Sequence, residues 1–199
     1  MSFRDKLKPK IRSILTFLGF EFRNWLRIMQ IKAFEQFLRD HAQVGAVLEI
    51  SPDWNSSWSE FCSSYSFVNY PEFDICKDVH PDKFDIVIAD QVLEHVADPR
   101  AAIRNIHAML KPGGYAMIAT PFLFRVHARP HDYSRWTEAG LKALLEQNGF
   151  MPAHIYTSSW GNKSCARAHI GGKVKRYGFY RDLSNDPLYP MQVWAFARA

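Results

Sequence analysis

Apolar residues recur at three- and four-residue steps from Phe22, Trp25, Leu26 and Met29 to Ile31, Phe34, Phe37 and Leu38. That spacing predicts helix along an arm running from Phe3 to about Ala42, with Pro9 and Gly19 dividing it into shorter pieces. From Val44 the period changes. Val44–Ile50 is a short apolar run containing one acid, and Ser66–Tyr70 is a second β-like stretch. Phe84–Ala89 is nearly continuously apolar over strand length, the pattern of a strand buried on both faces. Asp98-Pro99 supplies a helix cap and first helical residue, and Ile103, Ile106, Met109 and Leu110 give that helix its apolar stripe. Lys111-Pro112-Gly113-Gly114 stops the helix and turns the chain before the next strand, Tyr115–Thr120. Thr137 then caps a helix through Gln147, ended by Asn148-Gly149, and Ala153–Ser159 and Gln192–Ala199 read as two closing strands.

Strands alternating with helices predict an α/β fold with right-handed crossovers and a doubly wound, mainly parallel sheet. In such sheets ligands bind beyond the carboxyl ends of the strands, where the strand order reverses. That rule directs attention to Glu49–Trp54, Tyr70–Asp74, Asp90–His95 and Pro121–Asp132. The chain divides into a helical arm, residues 1–42, and one domain, residues 43–199, with no internal repeat.

Composition narrows the picture. A chain of 199 residues, 47% hydrophobic and 23% charged, suits one well-buried domain, and 15 Phe, 8 Tyr and 6 Trp exclude a disordered or low-complexity polymer. The net charge of +5 is concentrated: residues 1–39 hold nine Lys/Arg against three acids, leaving the body close to neutral. A broad nucleic-acid-binding face is therefore not expected. Three well-separated cysteines make neither a disulfide framework nor a metal knuckle, which points to a reducing, cytoplasmic setting. The apolar run Ile14–Phe20 meets Glu21 and Arg23 rather than a cleavage site. The arm is expected to pack as a helical layer on the domain, with peripheral membrane contact or a homo-oligomer interface as alternatives.

The densest polar and aromatic cluster is Pro121–Trp136, where His127, His131, Asp132, Arg125, Arg129 and Arg135 stand beside Phe122, Phe124, Tyr133 and Trp136. Such a loop above a sheet suits substrate contact, with His127, His131 or Asp132 as proton acceptors, or ordinary loop packing. His127 and His131 have the spacing of a helical metal pair, but Pro130 opposes helix, and no metal site is expected. His95 is either a further base or a histidine bonded within the site wall. No G-x-S-x-G elbow, G-x-x-x-x-G-K-[ST] loop or G-x-G-x-x-G turn is present.

The run FDIVIADQVLEHVADPRAAIRNIHAMLKPGGYAMIATPF, followed by HDYSRWTEAGLKALLEQNGF, resembles small bacterial class I S-adenosylmethionine-dependent methyltransferases. The similarity covers roughly residues 44–160 and is greatest to members of surface-polysaccharide and glycan pathways. It implies a Rossmann-like, seven-stranded-type sheet, S-adenosylmethionine as cofactor, and methyl transfer to an oxygen of a sugar or glycan intermediate or another small molecule. By position, the resemblance assigns Glu49 and Ser51 to the cofactor loop, where Ser51 replaces the first glycine and Asp53 follows Pro52. Where the family carries an acid for the ribose hydroxyls Tyr70 stands, which makes Glu72, two residues on, the ribose candidate; the resemblance assigns Asp74 to the adenine amine, and Asp90 with Gln91 to the methionyl end. Each has a plainer alternative: Ser51-Pro52-Asp53 as a turn, Glu72 as an exposed acid, Asp74 as a turn cap. The glycine-free loop also leaves open a non-catalytic binding or scaffold domain that keeps the fold.

Overall fold

The computed structural model describes residues 11, 13–15, 17–18, 20–41, 45–52, 58–170, 176–178 and 182–199. Among them the strands are β1 (Glu21–Asn24), β2 (Ala46–Ile50), β3 (Ser64–Val68), β4 (Phe84–Asp90), β5 (Leu110–Pro121), β6 (Ile155–Trp160), β7 (Arg176–Gly178) and β8 (Gln192–Arg198). The helices are α1 (Ile28–Asp40), α2 (Pro99–Met109), α3 (Glu138–Glu146) and α4 (Lys163–Ile170).

Six strands form the main sheet in the order β3-β2-β4-β5-β8-β6. β3, β2, β4 and β5 pair in parallel, whereas β8 runs antiparallel to both its neighbours. The expected doubly wound, mainly parallel α/β fold is present. The seventh strand implied by the resemblance is not: between β3 and β4, residues 69–83 run through turns, so β3 ends the described sheet. This segment carries Pro71 and Pro81, which cannot donate to a strand ladder.

Side-chain alternation in the strands produces two cores. Val47, Ile86, Ile88 and Met117 face α1, where Phe34 and Leu38 are fully buried against them. Leu48, Val87, Ala89 and Ile118 face the other way, onto Ile103, Ile106 and Met109 of α2 and Leu141 and Leu145 of α3. Both faces of the sheet are thus dry, which is why β4 reads as a continuous apolar run. α1 is part of this sandwich: Phe37 stacks on Phe196 of β8 with ring centroids 4.3 Å apart.

Local signals set the helix starts. The Asp98 carboxylate accepts the Ala101 N–H at 3.0 Å, and Thr137 Oγ1 accepts the Gly140 N–H at 3.1 Å. Elsewhere the chain departs from its periodicity. Residues 21–24, inside the expected helical arm, form a strand that pairs with β7 in a separate two-stranded sheet. The Lys111–Gly114 segment, expected as a turn, lies within the long β5. There, a Cβ on Gly114 would meet the carbonyl oxygens of Asp85 at 2.9 Å and Phe84 at 3.1 Å, so β5 can approach β4 only with glycine at that position. No described helix is long and apolar enough to cross a membrane.

Candidate active site

The chain leaves β2 outward to β3 and returns across it to β4, so strand order reverses between β2 and β4. Glu49, next to last in β2, and Asp90, last in β4, stand at that crevice. The Glu49 side chain is buried, and the Tyr65 hydroxyl of β3 donates to its Oε2 at 2.6 Å. Ser51 follows with φ +49°, the left-handed backbone that glycine favours, and its N–H donates to the Val68 carbonyl at 2.7 Å. The loop therefore makes a glycine-like turn without glycine. Asp53 and Trp54 lie outside the described residues.

Asp90 is largely buried and ion-paired with Arg27, which sits just before α1. Gln91, at φ +62°, donates its N–H to the Ala119 carbonyl at 2.8 Å and its side-chain amide to Gln192 Oε1 at 2.8 Å. The ends of β4, β5 and β8 are thereby tied together.

The acids after β3 are arranged differently. Glu72 is exposed in the turn. Asp74 accepts the Cys76 N–H at 3.0 Å and the Lys77 ammonium at 2.8 Å. The hydrogen bond from Lys77 holds the Asp74 carboxyl below the usual range. Asp74 is thus engaged with its own turn, in the capping arrangement named as its alternative.

The centre of the site lies one turn beyond β4. A 3-10 turn, Leu93–His95, carries Glu94 into full burial, and neither of its carboxylate oxygens has a hydrogen-bond partner. Oε1 lies 3.6 Å from His95 Nε2 and 3.9 Å from His127 Nε2. Burial, reinforced by the Asp90 charge, pushes the Glu94 carboxyl up to about 8. His95 Nδ1 is hydrogen-bonded to the His131 carbonyl, and a carbonyl only accepts, so the proton of a neutral His95 sits on Nδ1. His127 Nδ1 lies 3.1 Å from Asp132 Oδ2, which also accepts the His127 backbone N–H at 2.8 Å. Arg135 grips both oxygens of Asp132 and holds that carboxyl well below its usual range. Burial lowers His127, against the raising influence of Asp132. The Tyr133 N–H donates to the Glu94 carbonyl at 2.7 Å, strapping the loop over the 3-10 turn.

Of the four residues predicted for proton transfer, the fold gathers His95, His127 and Asp132. The ring of His131 is instead exposed beside Tyr133, and only its backbone carbonyl reaches the cluster. Glu94 was missed, since nothing in the periodicity distinguishes a buried acid from an exposed one. Its place beside His95, immediately beyond the strongest strand, was the available signal. Arg27 was also missed: its partner is 63 residues away in the chain.

A doubly wound sheet with acids at its reversal point and a polar cluster above β4 defines a Rossmann-like α/β domain, a fold whose ligands bind at the carboxyl edge. The chain belongs to the methyltransferase domain family, whose model matches residues 21–156. It is 28% identical over 92 residues to a ubiquinone biosynthesis O-methyltransferase of Coxiella burnetii, a match covering 34% of this chain and 39% of that enzyme. The chain spans less than half the length of the curated relatives it matches. Among solved structures, an S-adenosylmethionine-dependent methyltransferase from Mesorhizobium loti superposes with a TM-score of 0.53 at 16% identity, over 82% of this chain and 96% of that one. The N-methyltransferase NodS from Bradyrhizobium japonicum, bound to S-adenosylhomocysteine, gives 0.53 at 14% identity over 88% of each chain. These structures share the fold.

The residues fit the cofactor of such enzymes. S-adenosylmethionine presents an ammonium and a sulfonium, and the crevice offers the buried Glu49 carboxylate and Asp90 on either side of the reversal point. The left-handed Ser51 turns the backbone over the end of β2 as a close ligand contact requires.

Proposed function

We propose that this chain transfers the methyl group of S-adenosylmethionine to a hydroxyl oxygen of a small-molecule acceptor, a sugar or glycan intermediate. S-adenosylmethionine supplies an electrophilic methyl on a positively charged sulfur. The chain's part is to hold the cofactor along Glu49, Ser51, Asp90 and Gln91, with Glu72 at the ribose. It also presents the acceptor oxygen to the Glu94–His95–His127 cluster, beside which its proton is lost. The single observation that carries the reading is this juxtaposition. Polar side chains converge one turn beyond β4, beside the strand reversal. An oxygen acceptor is favoured because a hydroxyl, unlike an amine, needs its high pKa overcome by groups of this kind. Aromatic and arginine side chains on the loop 121–136 suit a sugar or phosphate-bearing acceptor.

Calorimetric titration with S-adenosylhomocysteine tests the reading. Binding is expected, and weakened at least tenfold in Glu49→Gln. Absence of heat and of thermal stabilisation at millimolar ligand would sink it. A second reading, a binding domain that retains the fold without catalysis, draws on two observations: Asp74 is occupied by Lys77, and Asp90 by Arg27. It predicts no cofactor affinity in the same titration.

The arm adds a location to this reading: contact with an anionic membrane surface from the cytoplasmic side. Supporting it, Ile11, Ile14, Phe17 and Leu18 keep their side chains exposed, in a stretch flanked by Lys8, Lys10 and Arg12. Co-sedimentation with anionic vesicles is expected to fall when Phe17 and Leu18 are both replaced by Ser. Equal pelleting of both proteins would count against it.

A further inference from the structure

We propose that Glu94, His95 and His127 bind one divalent first-row transition-metal ion, on whose open positions the acceptor hydroxyl is seated. The inference deepens the methyl-transfer reading and rests on it for the role of the ion, not for its binding.

Three observations carry it. The donor atoms converge: one Glu94 carboxylate oxygen and one ring nitrogen from each of His95 and His127 all lie within 4.8 Å of one another. Bonds of about 2.1 Å to a tetrahedral ion need donors about 3.4 Å apart, close to the 3.6 and 3.9 Å that separate Glu94 Oε1 from the two Nε2 atoms. Second, the carboxylate is fully buried with no hydrogen-bond partner. A buried carboxylate left so is costly in its charged form, and a cation between it and the imidazoles removes that cost. Third, His95 is turned for ligation: its Nδ1 bonds the His131 carbonyl, which places the ring proton there and leaves Nε2 unprotonated 3.6 Å from Glu94 Oε1. The His127 ring stands with Nδ1 3.1 Å from Asp132 Oδ2, a carboxylate itself anchored by Arg135. An outer carboxylate or carbonyl behind each ligating imidazole is the arrangement that fixes the tautomer at protein metal sites.

Two imidazoles and one carboxylate select zinc, iron, manganese or cobalt over magnesium or calcium, which prefer all-oxygen cages. Three protein donors leave coordination positions open, and the His95 and His127 side chains are partly exposed where Glu94 is not, so those positions face the crevice. A hydroxyl seated there is acidified by the ion. Its proton leaves to solvent, the oxygen–methyl bond forms as the sulfur–methyl bond breaks, and the ion keeps its oxidation state.

The test uses the full chain stripped with a chelator and titrated with Zn2+ by calorimetry, and with Co2+ by visible absorption. One ion per chain is expected, bound far more tightly than Mg2+. Glu94→Gln and His127→Ala should each weaken binding at least tenfold. Asp132→Asn should weaken it about 10- to 100-fold by loosening the imidazole it orients. His154→Ala, at the opposite edge of the sheet, should bind as the unaltered protein does. Circular dichroism of each variant separates loss of the site from loss of fold. No saturable Zn2+ or Co2+ binding, or binding unchanged in both Glu94→Gln and His127→Ala, overturns the proposal. Titrating the same stripped samples with S-adenosylhomocysteine keeps the two claims apart. Cofactor-product binding without ion binding removes the metal alone, and its absence removes the methyl-transfer reading.

Discussion

At the scale of single residues, Arg27 and Asp90 decide how the crevice holds together. Both side chains are mostly shielded from water, and each would be left as an uncompensated charge without the other. Arg27→Met should therefore destabilise the protein by about 2–4 kcal/mol. Adding Asp90→Asn should restore much of that, since the penalty lies in the orphaned carboxylate rather than in the lost pair. Urea unfolding of the two single variants and the double variant measures the coupling. Ser51 poses a different problem, because its left-handed backbone is unfavourable for any residue with a Cβ and most so for a branched one. Ser51→Val should cost about 1–3 kcal/mol, whereas Ser51→Gly should be close to neutral, the gain in backbone freedom offsetting a more flexible unfolded chain.

At the scale of elements, α1 is the informative case. Phe34 has no exposed surface and touches Trp58 and Phe196, with ring centroids at 5.7 and 5.5 Å. Phe34→Ala should cost about 3–5 kcal/mol, read from the shift of the denaturation midpoint at unchanged slope. A cost below 1 kcal/mol would mean that α1 is an appendage. The sequence displayed this helix clearly through its three- and four-residue spacing. It could not show that residues 21–24, just upstream, would pair with β7 instead. Strand pairing depends on a partner roughly 150 residues away, and local periodicity carries no information about it.

At the scale of the whole molecule, the two edges of the sheet divide the labour. At the amino edge, Asp85 accepts the Ala46 N–H at 2.7 Å and the Lys111 ammonium at 2.8 Å, drawing together the starts of β2, β4 and β5. Burial works against its ionisation, but these donors outweigh it and hold the carboxyl below its ordinary range. The sign follows: a lowered folded-state pKa adds stability above the unfolded value of about 4, and that stability is lost as pH falls through the folded one. Asp85→Asn should therefore flatten the acid limb of stability below about pH 4, measured by thermal unfolding as pH is lowered, while leaving the carboxyl-edge chemistry untouched. The carboxyl edge carries the opposite design, with the carboxyl groups of Glu49, Asp90 and Glu94 held away from water.

Sequence alone determined the strand and helix alternation, the dry central strand β4, the caps at Asp98 and Thr137, and hence the edge at which folds of this kind bind ligands. These follow from local periodicity and capping, in which each residue is read against neighbours a few positions away. Only the tertiary structure decided that Glu94 is buried without a partner, that His127 rather than His131 turns toward it, and that Arg27 reaches Asp90. It also decided that the sheet has six strands among the described residues rather than seven. The physical reason is the same in each case: burial, ion pairing and strand pairing are set by contacts between segments far apart in the chain.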